Sequence, residues 1–366
     1  MNQPVNFKGI DQWILLGGGE IIGTFSLKLV GEGFKVFVVT SQRHADEKLA
    51  TFQLRNVTLR DFLVNNKIDF LISKDVNRDR DVISRITKKT LGVSVGAAWI
   101  FREKFIQYFE GRLVNFHPSK LPQGRGGGPW SWKVLKNERI GTVTLHQIDT
   151  GIDTGNIIRY RSFHYPSFCK LPIDYMNYTT KQYYHLLEKL VRDVKEQKEI
   201  KTVKQNEDTS TYWPRFCTDI HGYIDWSWKL TEIERFIRAF DEPYKGAMTF
   251  VHSVQVRLKR CEATYRDGRF HPFQKGIVYR VAQGSIFVAC DGGGLVIHHL
   301  KDGEGRNMID KIRAGDRFYT PLKYLEQAKQ SRAIYTALGM KIGTATAKDE
   351  MHRNGRITCK SSRHMI

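Results

Sequence analysis

Cysteine is scarce in this 366-residue chain, and the five present (Cys169, Cys217, Cys261, Cys290 and Cys359) are scattered. None forms a C-x-x-C pair, which argues against a zinc site. The odd count, with no charged-then-apolar leader, points to free thiols in a reducing cytoplasm. Long apolar runs are missing too. No stretch approaches the ~20 residues that span a bilayer as a helix, so membrane insertion is not expected. Acid is in short supply: 38 Asp and Glu face 58 Lys and Arg, a formal net charge of +20. Such an excess draws anions such as nucleotides, phosphosugars or RNA, and equally describes a solvated basic face with a basic tail. Core-forming residues are not lacking. The hydrophobic fraction is 41%, ordinary for a globular protein, and the length suits two domains.

The chain opens as strand, turn, helix, strand. Trp13-Ile14-Leu15-Leu16 is followed by Gly17-Gly18-Gly19, a helical pattern over about 20–32 and the strand Lys35–Val39. Glycines at such a first crossover either cradle a phosphate on Gly18 and Gly19 or make a tight turn. The second strand ends in Thr40-Ser41 rather than an acid, which excludes a dinucleotide dehydrogenase. Further strands at 70–72, 91–95 and 113–115 alternate with helical segments. This predicts an α/β unit: a Rossmann-like, mainly parallel sheet with helices on both faces. Residues 160–215 read as domain edge and linker, with a helix near 180–198. A helix over 231–240, with Thr231 as its N-cap, then precedes short alternating strands at 248–251, 254–258, 276–281, 285–289 and 295–300. These predict a small open β-barrel. The expected boundaries are 1–205, 206–340 and a disordered basic tail, 341–366.

Chemistry concentrates between 115 and 155. Asn115 and His117 follow an apolar run, and residues i and i+2 of a strand share a face. An amide and an imidazole would then aim into one cavity at the strand's C-terminal end, with a carboxylate arriving later from Asp149 or Asp153. An oriented imidazole beside an amide donor is equipment for acyl transfer.

Four separated pieces, Asn115-Phe116-His117, Ser119-Lys120-Leu121-Pro122, Arg125-Gly126 and Asp149-Thr150-Gly151-Ile152-Asp153-Thr154-Gly155, agree in order and spacing with one family. The chain resembles the folate-dependent formyltransferases, which include the methionyl-tRNA and the sugar-nucleotide enzymes. The resemblance implies the formyltransferase fold with an OB-like C-terminal barrel, and a catalytic trio of Asn115, His117 and Asp153. It implies 10-formyl-tetrahydrofolate as co-substrate, with no metal required. The pterin would lie between Trp99, Ile100, Phe101 and Ile106 on one side and Gln147, Ile148, Asp149, Thr150, Gly151 and Ile152 on the other. Arg125, Gly126 and Trp130 stand where an acceptor would bind, and Trp130 either stacks on a base or sugar or simply packs.

Three acceptors or roles compete. One is the amine of an amino-sugar nucleotide, in surface polysaccharide (lipopolysaccharide or O-antigen) synthesis. The second is aminoacylated initiator tRNA, and the third is non-catalytic RNA binding. The tRNA enzymes carry a long basic, glycine-rich insertion after the second strand, whereas residues 41–47 here are short and of mixed charge. The run Arg125-Gly126-Gly127-Gly128-Pro129-Trp130-Ser131-Trp132 is nearer the polysaccharide enzymes. The sugar nucleotide is therefore the favoured acceptor. The second domain either pairs subunits into a homodimer or helps hold substrate.

Overall fold

The computed structural model describes residues 4–49 and 57–344. One sheet holds β1 (Gln12–Gly17), β2 (Lys35–Thr40), β3 (Asp69–Ile72), β4 (Thr90–Val95), β5 (Leu113–His117), β6 (Ile140–Gln147) and β7 (Ile157–His164). Their spatial order is β3-β2-β1-β4-β5-β6-β7. The first five run parallel, β6 is antiparallel to β5, and β7 is antiparallel to β6. The sheet is thus mainly parallel, as the alternating pattern predicts.

The reason is visible in β1. Trp13, Ile14, Leu15 and Leu16 are all fully buried. Trp13 and Leu15 pack with Ile22, Phe25 and Leu29 of helix α1 (Glu20–Gly31) on one face. Ile14 and Leu16 pack with Phe101, Phe105 and Phe109 on the other. A strand apolar on both sides has to lie inside a sheet covered on both faces. Short helices α2 (Gln42–Asp46) and α3 (Pro129–Leu135) follow β2 and precede β6.

The expected linker is more ordered than its composition suggests. It contains the end of β7 and the whole of the 24-residue helix α4, Pro172–Lys195. Proline at the first helical position starts the helix early, because its missing N–H would be unpaired there anyway. Tyr183, Leu186, Leu187, Leu190, Val191 and Val194 form its stripe against the sheet. Tyr175, nearer its start, packs into a different core, so one helix serves both.

That second core lies between α5 (Leu230–Ala239) and five antiparallel strands: β8 (Ala247–Val251), β9 (Val254–Thr264), β10 (Val278–Ala282), β11 (Ser285–Cys290) and β12 (Gly293–Asp302). Their order is β8-β9-β12-β11-β10. Tyr319 bridges to Phe250 on one edge strand, and Arg317 bridges to Ile277 beside the other. One short segment thereby draws the two edges together into an open barrel. Thr231 does not cap α5. The helix begins one residue earlier, and Lys229 holds the cap position without a side-chain bond, because Leu230 is buried in the core and extends the apolar stripe.

Beyond the barrel come α6 (Leu322–Gln330) and a hairpin, β13 (Ser331–Thr336) with β14 (Gly339–Thr344). Residues 341–344, assigned to the tail by composition, are strand. Residues 345–366 of that tail lie outside the described residues. Among the described residues no helix is long and apolar enough to cross a membrane.

Candidate active site

β5 and β6 set the geometry. Their register places Asn115 opposite His146. The Asn115 Nδ2–H donates to His146 Nε2 at 3.1 Å, and His146 Nδ1–H donates to the Gln147 carbonyl at 2.7 Å. In a neutral ring these two bonds define the tautomer, with the proton on Nδ1 and the lone pair on Nε2. Asn115 keeps a second N–H for another acceptor.

His117, two residues along β5, is 4% exposed. Its Nε2–H donates to the Gly124 carbonyl at 2.9 Å, and its Nδ1 lies 3.5 Å from Asp153 Oδ1. The same oxygen is 3.6 Å from His146 Nε2. Asp153 Oδ2 accepts the Gly126 N–H at 3.0 Å. The amide, imidazole and carboxylate predicted from sequence therefore converge. His146, left without a role in the sequence reading, stands among them.

Asp153 has φ +55°, left-handed backbone that a non-glycine residue adopts only when its surroundings hold it there. Gln205 does part of this: its Nε2 donates to the carbonyls of Asp153 (2.8 Å) and Gly155 (2.7 Å). Gly155 is required sterically, since a Cβ there would sit 1.9 Å from the Gln147 carbonyl oxygen. Arg125 fixes Gln205 in turn. Its Nε and Nη2 donate to Gln205 Oε1 at 3.1 and 2.8 Å, and Nη1 and Nη2 reach Glu207 at 2.8 and 2.7 Å. Arg125, expected at the acceptor site, is 6% exposed and its guanidinium is engaged by Gln205 and Glu207. Gly126 keeps a place in the site through its backbone, and a Cβ there would come within 2.3 Å of the Trp213 carbonyl oxygen.

Electrostatics separates the two proton-carrying groups. Burial alone would raise the Asp153 carboxyl, but His117, His146 and the Gly126 N–H outweigh it and hold it below the ordinary carboxylate range. Burial lowers His117 more than Asp153 raises it, and His146 and Lys133 add to the lowering. Near neutral pH the pair is an ionised carboxylate beside a neutral imidazole. His117, His146 and Asp153 offer ligand atoms within 4.8 Å of one another, so a cation could face all three. Asn115 and Gly126 already donate to two of those groups.

The other aspartate does different work. Asp149 is exposed, and its Oδ1 accepts from the Gly151 N–H (3.1 Å) and the Thr154 hydroxyl (2.5 Å), folding the loop onto itself. Thr150 is exposed and Ile152 half-buried beside it. Trp99, Ile106 and Ile148 share the rim of the cluster under β1 and β2. The indole Nε1 of Trp99 is buried without a partner. Ile100 turns its side chain to solvent while its carbonyl accepts from Asn77 at 3.1 Å. Phe101 is a core residue, stacked on Phe105 with ring centroids 5.7 Å apart. The Gln147 side-chain amide is bonded to the Gly111 carbonyl at 3.1 Å.

On the opposite side, Gly18 lies against the His44 ring, and a Cβ there would be 2.3 Å from its Cγ. Gly19, at φ +75°, caps α1. Trp130 is half-buried against the barrel-side core, so packing accounts for it. The sequence reading missed Gln205 and the strand-like pairing of Tyr212 and Trp213 with Arg125 and Gly126. That pairing joins segments more than eighty residues apart and leaves no local pattern.

Two family models match the chain. The formyl transferase model covers residues 22–165, and the formyl transferase C-terminal domain model covers 218–313. A methionyl-tRNA formyltransferase of Geotalea uraniireducens is 28% identical over 209 residues, 56% of this chain, and the match spans 61% of that protein's length. One from Caldanaerobacter subterraneus subsp. tengcongensis is 23% identical over 299 residues, 81% of this chain and 93% of the other. Among solved structures, an N-formyltransferase from Helicobacter canadensis in complex with folinic acid and dTDP-3-aminofucose aligns with TM-score 0.59 and 20% identity, covering 79% of this chain and 98% of that one. The Asn115–His117 strand end lies inside the first matched segment and the barrel inside the second, and the chain belongs to the formyltransferase family.

Proposed function

We propose that this protein is an N-formyltransferase that moves a formyl group from 10-formyl-tetrahydrofolate to the primary amine of an amino-sugar nucleotide. The observation that carries the reaction is the meeting of Asn115, His117 and Asp153 at the end of β5. A formyl carbonyl under attack by an amine gains charge on oxygen and leaves a proton to be removed. The second N–H of Asn115 meets that oxygen, and each well-placed donor of this kind is worth roughly 3 kcal/mol of barrier. His117, neutral at its resting protonation, accepts the amine's proton, ionised Asp153 stabilises the imidazolium across the short gap between them, and the imidazolium returns the proton to the folate nitrogen N10 as the carbon–N10 bond breaks and tetrahydrofolate leaves. Gly126 and Gln205 hold Asp153 in place for this.

The rim of Trp99, Ile106 and Ile148 beside the Asp149–Thr154 turn fits the pterin of the co-substrate. It offers apolar walls for a flat ring, and the unpartnered indole N–H suits an acceptor on that ring. What supports a sugar nucleotide over tRNA is the short, mixed-charge segment after β2, together with the likeness to the Helicobacter canadensis fold. The names of the sequence relatives favour tRNA as the second reading. Incubation with 10-formyl-tetrahydrofolate and either a panel of amino-sugar nucleotides or charged initiator tRNA separates the two. Formylation of tRNA alone overturns the sugar assignment, and formylation of neither overturns the enzyme.

A further inference from the structure

Near the Gly126–Gly128 turn lies a cluster of charge that the reaction chemistry does not use. Arg43 and His44 lie on α2, at the end of β2. Arg215 follows the strand-like pair Tyr212–Trp213, and its Nε lies 3.0 Å from where a Cβ on Gly127 would be. Gly126, the preceding residue, is the one bonded to Asp153. Tyr335 comes from the appended hairpin β13–β14, outside both matched family segments. The guanidinium carbons of Arg43 and Arg215 lie 5.8 and 4.8 Å from the centroid of the Tyr335 ring. The ring is held by its hydroxyl on the Phe216 carbonyl at 3.3 Å, and the hairpin by His221 Nε2 on the Ser331 carbonyl at 3.1 Å.

Two guanidinium groups gathered on one ring repel each other. Among the described residues neither forms an ion pair. Glu47 is the acid whose field reaches Arg43. Among the described residues, Arg43 Nε is buried without a hydrogen-bond partner. Natural proteins leave few such donors unpaired, and a bound ion is one of the arrangements that satisfies them. Burial first, and then the charges of Arg43 and Arg215, push His44 down to about 3, so it adds no charge of its own.

We propose that Arg43 and Arg215, aligned on Tyr335, form a subsite for the diphosphate of the acceptor nucleotide. The inference rests on the acceptor being nucleotide-linked, as proposed above. Planar forked donors match phosphate oxygens, and an anion between the two arginines removes their mutual repulsion. Because Arg215 packs against the Gly127–Gly128 turn beside Gly126, an acceptor anchored by its phosphates would have its sugar directed toward His117.

The test uses the full chain and thymidine diphosphate as probe, with thymidine and 5-formyl-tetrahydrofolate as controls, by calorimetry. Arg43→Met and Arg215→Met should each weaken diphosphate binding by about 10- to 100-fold. Tyr335→Leu should weaken it by about 3- to 10-fold, and both controls should bind as to the unmodified chain. Unchanged diphosphate affinity in the two arginine variants, with folate binding intact, overturns the subsite, as does an unmodified chain that binds thymidine diphosphate no better than thymidine. Failure of the broader reading looks different: the diphosphate binds through Arg43 and Arg215, yet no amino-sugar nucleotide is formylated.

Discussion

The trio and the arginine cluster are built on opposite principles. On the trio side each of the three reacting groups is bonded within the protein. Asn115 meets His146, His117 meets Gly124, Asp153 meets Gly126, and Gln205 ties the loop down. On the arginine side, among the described residues, Arg43 Nε has none. The difference separates two tasks. A site that moves a proton benefits from groups already fixed where charge will develop. A site that holds an anion needs donors whose needs only the ligand meets. If the proposed roles hold, variants on each side should fail in different ways.

The largest effects belong to the satisfied side. His117→Asn and Asp153→Asn should each lower kcat by about 100-fold or more while thermal midpoint and folate affinity hold. Normal turnover in either purified variant would erase the distinction between the sides. The pH profile comes next. Burial lowers His117, so the imidazole stays neutral down to pH values below its ordinary 6.5. kcat/KM should be flat through neutrality and fall up to about tenfold per pH unit only below that value. An acid limb above pH 7 would mean that His117 is not the base. Gly126→Ala pushes a methyl onto the Trp213 carbonyl at φ +103° and loosens the N–H that holds Asp153. It should cost about tenfold in kcat, with diphosphate affinity less affected. The smallest effect is expected at Asp149→Ala, which unties the loop but touches no reacting group. Its folate KM should rise by about threefold at constant kcat. Equal losses in Asp149 and Asp153 variants would show that the two carboxylates do not divide the work as described.

Much of the trio side was legible because it is local. Asn115 and His117 obey the two-residue period of a strand, and the family pattern selected Asp153 over Asp149. The sheet was legible in Trp13–Leu16, whose unbroken apolar run demands cover on both faces. The partners of Arg125 were not legible, because the pattern gives its position but not the Gln205 and Glu207 that bond it from eighty residues away. His146 was visible and unassigned, since only cross-strand register brings it to Asn115. Thr231 has the chemistry of a cap, but the buried side chain before it decided where the helix starts. The arginine side was illegible as a unit. Residues 43, 215 and 335 share no motif, and only packing unites them.

The hairpin that carries Tyr335 also gives the molecule an order of completion. A ribosome exposes β1 to β7, the trio and Gln205 well before residue 335, and chains generally fold from the N-terminal end as they emerge. A nascent or prematurely terminated product would then possess the apparatus for donating a one-carbon unit while lacking the finished clamp for its recipient. On the proposed subsite, an unfinished polypeptide would hold that partner through Arg43 and Arg215 alone, somewhat more weakly than the finished chain.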